Sequence, residues 1–217
     1  ILNHNLAGDS VAINDGSITT GDGVSTLITN YSGAAYDRLF QSHGIKSITQ
    51  APSPGATSYA RNSGDVTVGD LAVGTFVSGQ GVSWLDPKAP TAINVNEGII
   101  STGDNSSGML TLGTNTTTFN SGNITTGDYD ISAFQPHPVY TADEFAQLRY
   151  GVASWGTYLS EVYNSGTITT GNGTVGASAR NYISGFGFVP GYGTAARMIQ
   201  GEGGVITTGD DAIGARV

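Results

Sequence analysis

Cysteine is absent from this 217-residue chain, which excludes disulfide staples and thiolate chemistry. That absence also suits a chain that stays unfolded in a periplasm before export. Charge is scarce as well: 12% of residues are charged and the net charge is −9. Lys46 and Lys88 are the two lysines and the six arginines are scattered, so no basic patch exists to neutralise a run of phosphates, and nucleic acid is not expected as a partner. No apolar run approaches the length of a membrane-spanning helix and no basic amphipathic helix is visible, so this segment is not expected to insert into a bilayer. The strong helix formers Lys, Glu and Gln are rare. The chain opens on Ile1 with no leader, and reads as processed or excised.

What the chain does hold is 33 glycines, abundant Thr, Ser and Asn, and 38% hydrophobic residues. Thr and Val fit a pleated surface, while Gly and Asn fit tight turns. The apolar content is enough for an extended core. An all-β protein is expected.

One block recurs six times, of the form Asn-x-Gly-x-Ile/Val-Thr/Ser-Thr/Val-Gly-Asp/Asn. The copies start at Asn14, Asn62, Asn96, Asn120 and Asn164, with Glu202 opening the sixth. Gly21, Gly69, Gly103, Gly127, Gly171 and Gly209 close them, and Gly74, Gly108, Gly176 and Gly214 follow five residues after four of these. Each block reads as a short strand between two turns. The alternation of side chains along it turns Ile18, Val66, Ile100, Ile124, Ile168 and Ile206 to one face. A strand this short is stable only with copies above and below it, so the blocks are expected to stack as one β-solenoid segment over 1–217, open at both ends.

The starts are 48, 34, 24, 44 and 38 residues apart. Three short strands and three turns account for 24 residues, so the longer intervals carry inserts, placed at 28–60, 77–93, 133–160 and 179–200. The first surplus is long enough to hide a second, degenerate coil. These intervals hold most of the aromatic residues and the prolines. A capping box at Thr141–Glu144, followed by Phe145, Leu148 and Val152, predicts one short helix near 141–150.

At the blocks themselves, for instance Asn164-Ser165-Gly166-Thr167-Ile168-Thr169-Thr170-Gly171, the sequence resembles passenger regions of autotransporter (type V secreted) proteins of Gram-negative bacteria. The resemblance covers the blocks and not the inserts. It implies a right-handed parallel β-helix, secreted or held at the cell surface near the outer membrane, commonly as an adhesin, an aggregation factor or a scaffold for enzyme modules.

The candidate sites follow from this frame. Tyr36, Trp84, Trp155 and Tyr192 are the aromatics that could stack on sugar rings, against the alternative that they pack the inserts onto the wall. The residue after each closing glycine (Asp22, Asp70, Asp104, Asp128, Asn172, Asp210) could form a column sharing Ca²⁺, against the plainer role of a turn residue bonding backbone amides. The opening Asn residues are expected to form a buried amide ladder. Beyond calcium no cofactor is implied. No catalytic set is assigned: His4, His43 and His137 are isolated, and Asp86, Asp143, Glu144, Glu161 and Arg149 read as solvated or capping residues. The expected function is therefore a surface stalk or adhesin whose inserts contact a host or neighbouring cell, a glycan or another copy. A glycan-active enzyme of lyase or tailspike type and a filament or surface-layer subunit are the alternatives.

Overall fold

The computed structural model describes residues 1–6, 8–29, 35–49, 55–79, 90–134, 147–181 and 195–217. In chain order the strands are β1 (Leu2–Asn5), β2 (Ser10–Asn14), β3 (Ser17–Thr19), β4 (Val24–Thr29), β5 (Ala35–Phe40), β6 (Ser42–Thr49) and β7 (Thr57–Asn62). They continue as β8 (Asp65–Val68), β9 (Ala72–Gly79), β10 (Thr91–Asn96), β11 (Ile99–Thr102), β12 (Ser107–Asn120) and β13 (Asn123–Thr125). The last are β14 (Tyr150–Asn164), β15 (Thr167–Thr170), β16 (Val175–Asn181), β17 (Ala195–Gln200), β18 (Val205–Thr208) and β19 (Ile213–Arg216). Among the described residues the one helical element is a 3₁₀ turn at Ile131–Ala133, and the helix expected near 141–150 falls mostly outside them.

Among the described residues the chain is all-β and its sheets are parallel apart from one hairpin, β4–β5. Strands from successive repeats pair in three columns. The first column contains β2, β7, β10, the second halves of β12 and β14, and β17. The second contains β3, β8, β11, β13, β15 and β18. The third contains β1, β6, β9, the first halves of β12 and β14, β16 and β19. Each repeat visits every column once, and the 24-residue interval from Asn96 to Asn120 does so with no insert.

Two expectations need correction. The first interval hides no extra coil, because β3 pairs directly with β8 and the surplus goes into the β4–β5 hairpin and the stretch between β6 and β7. The proposed inserts also overrun the strands: residues 42–49, 57–60, 91–93, 150–160 and 195–200 all belong to paired strands. Aromatic content was the misleading guide, because Tyr150, Trp155, Tyr158 and Tyr163 are strand residues of β14. The long insertions lie at two corners, between the second and third columns and between the third and first, while the first-to-second corner lengthens by two residues after Gln200.

The core lies between the columns. In the second column Ile18, Val66, Ile100, Ile124, Ile168 and Ile206 are register partners in that order. The four inner members are buried and the two outer ones partly so. Each such rung stabilises by about 1.5–3 kcal/mol. Opposite them runs a glycine column. A Cβ on Gly74 would collide with Ile100 and the Gly108 carbonyl, and one on Gly108 with Ile124 and the Gly151 carbonyl. Gly44, Gly151 and Gly176 meet equivalent neighbours, so the column includes two members that follow inserts and that the block pattern misses. Where the third column turns into the first, the interior is polar. Ser47 bonds Ser10 at 2.9 Å and Ser58 at 3.1 Å, Thr111 bonds Thr118 at 2.7 Å, and Ser154 donates to Thr116 at 2.9 Å. Paired hydroxyls make that burial tolerable.

Replacing Ile124, which is 1% exposed, by alanine is expected to lower the unfolding free energy by about 2–5 kcal/mol. Ile18→Ala, on the partly exposed first rung, should cost less than half as much. Urea denaturation of the two variants checks the order.

Candidate functional site

The first corner, Asn-x-Gly, is built around side-chain amides. Asn14 Nδ2 donates to Asn62 Oδ1 at 2.8 Å, Asn62 to Asn96 at 2.9 Å, Asn96 to Asn120 at 2.9 Å and Asn120 to Asn164 at 2.8 Å. The same nitrogens donate to the carbonyl two residues on, at Gly16, Gly64, Gly98, Gly122 and Gly166. These amides are buried and engaged, which leaves them no role as ligands. The sixth position is a correction to the gapless alignment. Asn164 donates to Gln200 Oε1 at 3.3 Å, and β17 pairs Asn164 with Gln200. Glu202 is exposed in a corner two residues longer than its predecessors. A neutral amide at the ladder position avoids the desolvation of a buried carboxylate.

At the next corner each side chain of the acidic column accepts a backbone N–H from the following repeat. Asp22 takes that of Asp70 at 2.9 Å, Asp70 that of Asp104 at 2.7 Å, Asp104 that of Asp128 at 2.9 Å, and Asp128 that of Asn172 at 2.7 Å. Asn172 takes that of Asp210 at 2.7 Å. The closing glycines make room for this. A Cβ on Gly69, Gly103, Gly127, Gly171 or Gly209 would strike the carboxylate or amide oxygen of the repeat before it. Among the described residues no group of three or more His, Cys, Asp or Glu side chains is placed to hold a metal.

The aromatic candidates separate. Trp155 lies on β14 and is only 4% exposed, not in a loop as expected. Tyr36 lies on β5, where Ile28 is its backbone partner, and Trp84 and Tyr192 fall outside the described residues. Phe119 and Tyr163, register partners on the outward side of the first column, stack at 4.9 Å with an interplanar angle of 15°. One face of each ring is thereby covered by the other. Of the residues weighed for catalysis, Glu161 is 3.4 Å from Arg197, and Asp86, Asp143, Glu144 and His137 fall outside the described residues.

Sequence reasoning missed the outward face of the third column. Met109 enters the central core, whereas Leu110, one residue on, joins a second cluster with Val73, Leu148, Tyr150, Ala153, Trp155 and Val175. Cations ride on this cluster. The Arg149 guanidinium lies 5.9 Å from the Tyr129 ring and 5.6 Å from the Tyr150 ring. Arg216 lies 5.9 Å from the Tyr150 ring and donates to its hydroxyl at 2.8 Å. Arg180 lies 5.8 Å from the Trp155 ring, and the Tyr150 and Trp155 rings meet edge to face at 5.3 Å. Farther along, Lys46 lies 5.4 Å from the Phe76 ring, which His43 meets edge-on at 5.4 Å. Burial raises the Tyr129 phenol above its ordinary value. The repeated block carries no signal for this face, because Lys46, Phe76, Trp155, Arg180 and Arg216 lie on third-column strands outside it.

Comparison with known protein families, with curated proteins and with solved structures finds no match to the chain.

Asn96→Asp should destabilise the fold by about 3 kcal/mol at neutral pH, because a carboxylate cannot donate to Asn120 or Gly98 and is buried among acceptors. Part of the loss should return in acid, where the protonated group donates one bond. Glu202→Gln should stay within about 0.5 kcal/mol. Denaturant melts of both variants at two pH values check this.

Burial, and next the charge of Lys46, pull His43 down from 6.5 to about 4. The unfolded chain then takes up a proton between these values that the folded chain refuses, so this contribution is complete above pH 6.5 and is lost as pH falls towards 4. The loss reaches about 3 kcal/mol. His43→Gln should flatten the thermal stability profile in that window.

Proposed function

We propose that the chain is a segment of a right-handed parallel β-helix displayed outside the cell, of the autotransporter passenger type, where it serves as a stiff stalk with adhesive surfaces. One observation carries this reading: the same three-strand circuit recurs in register through six blocks, while the long insertions sit at two corners. A wall held by continuous amide, isoleucine and glycine ladders supplies shape. Segments that leave it without disturbing the ladders are free to differ, which is the usual division of labour between scaffold and contact loops.

The stalk reading assigns no chemistry to the ladder residues, in keeping with the way their polar atoms are engaged. A glycan-cleaving enzyme would instead need two or three carboxylates or a cation converging on one groove. Immobilised full chain, offered whole bacterial cells, cultured host cells and a panel of polysaccharides, should capture a cell surface or a glycan and leave the glycan chain length unchanged. Shortening of any glycan, measured by size-exclusion chromatography, overturns the adhesive reading in favour of the enzyme. End-to-end polymers in electron micrographs, without capture, overturn it in favour of a filament.

A further inference from the structure

The chain is acidic overall, yet four of its eight lysines and arginines, Lys46, Arg149, Arg180 and Arg216, lie on one outward face over aromatic rings. Arg61 and Arg197, on the first column, differ: Arg61 bonds Glu97 at 2.6 Å and Arg197 approaches Glu161. Arg149, Arg180 and Arg216 form no ion pair with any described carboxylate. Arg149 and Arg216 share the Tyr150 ring and Arg180 lines a cleft with Arg216, so like charges gather on this face and attract an anion.

We propose that Arg149, Arg180 and Arg216, set on Tyr150 and Trp155, bind the carboxylates of an acidic polysaccharide built from uronic acid units. The inference rests on the extracellular, adhesive reading above. Three features select this ligand. The rings hold the guanidinium groups at 5.6–5.9 Å, so little side-chain freedom is lost on binding, and a fork of N–H donors suits a planar two-oxygen acceptor. The Nε atoms of Arg149 and Arg216 are shielded and have no acceptor, so an incoming carboxylate meets the outer Nη edges of these forks. Asn181 Oδ1 is shielded without a donor, and Asn181 lines one open cleft with Arg180 and Arg216. An amide beside two guanidinium groups suits a sugar that carries hydroxyls as well as a carboxylate, whereas a free sulfate ion brings only acceptors. The rings themselves are covered, Tyr150 fully and Trp155 almost so, and they position the arginines and do not stack on the sugar.

The test measures binding of the full chain to polygalacturonate, to its fully methyl-esterified form and to dextran sulfate at low and physiological salt. Polygalacturonate should bind, and both esterification and the double substitution Arg180→Gln with Arg216→Gln should weaken binding by at least ~10-fold. Arg180→Lys should also weaken it, because an ammonium keeps the charge but loses the fork geometry. Arg61→Gln should leave it unchanged. Circular dichroism and thermal melts establish that each variant is folded, and the lysine variant and the ester arm remain decisive if the double variant is not. The proposal is overturned by no binding of polygalacturonate, by equal binding of its ester, by tighter binding of dextran sulfate, or by full retention in both Arg180 variants. Capture of cells or neutral glycans without polygalacturonate binding removes this site and leaves the adhesive reading intact. Glycan shortening removes that reading and leaves the binding result to stand on its own.

Discussion

Register is the constraint on which the rest of this structure depends. In a parallel stack a slip of one residue turns every side chain to the opposite face, and a three- or four-residue strand holds too few backbone bonds to resist it. The amide ladder from Asn14 to Gln200 supplies the resistance. Each amide is tied both to its neighbour and to its own turn, so a slipped strand would leave buried donors and acceptors unmatched, at about 1–3 kcal/mol each. Apolar contact alone discriminates less, because the Thr and Val positions adjoining each isoleucine could also be buried.

Once register is fixed, the glycines follow as steric necessities of close stacking. The column through Gly74, Gly108 and Gly151 lets the third column approach the isoleucine rungs, where any Cβ would meet a methyl group and a carbonyl. The closing glycines perform a second task by admitting the Asp or Asn side chain of the repeat before. That side chain caps the backbone amide above it, so the Gly-Asp pair is one interlocking joint shared between two repeats. Neither residue is explained within its own repeat. This is why the pair recurs where the chain is otherwise free to vary.

What could be read in advance was what one residue does within a repeat. The isoleucine rungs and the Asn ladder follow from a period of two and from the donor and acceptor count of an amide. What could not be read was the identity of the neighbour when an insert lies between. Gly44 and Gly151 belong to the glycine column but stand at irregular distances from the block, and Gln200 occupies the ladder position that alignment gives to Glu202. Aromaticity misled for a related reason. In a stack, an outward aromatic can be covered by a residue on the adjacent strand, as Trp155 is by Arg180, so a ring that reads as loop-borne in the chain is wall-borne in space.

The same stacking sorts the charges. Along the second corner the Asp side chains are kept apart by turning each towards a backbone amide, and on the first column Arg61 and Arg197 are neutralised by Glu97 and Glu161. On the third column the neighbours are rings, which attract a guanidinium through their electron-rich faces and cannot neutralise it. Acidic and basic features of one small solenoid wall are thereby separated onto different faces, although the chain intermixes them. On the positive face Arg149, Arg180 and Arg216 have no described carboxylate paired with them. An outward surface with both matched geometry and unmatched charge is better suited to a ligand than a surface whose groups already satisfy one another.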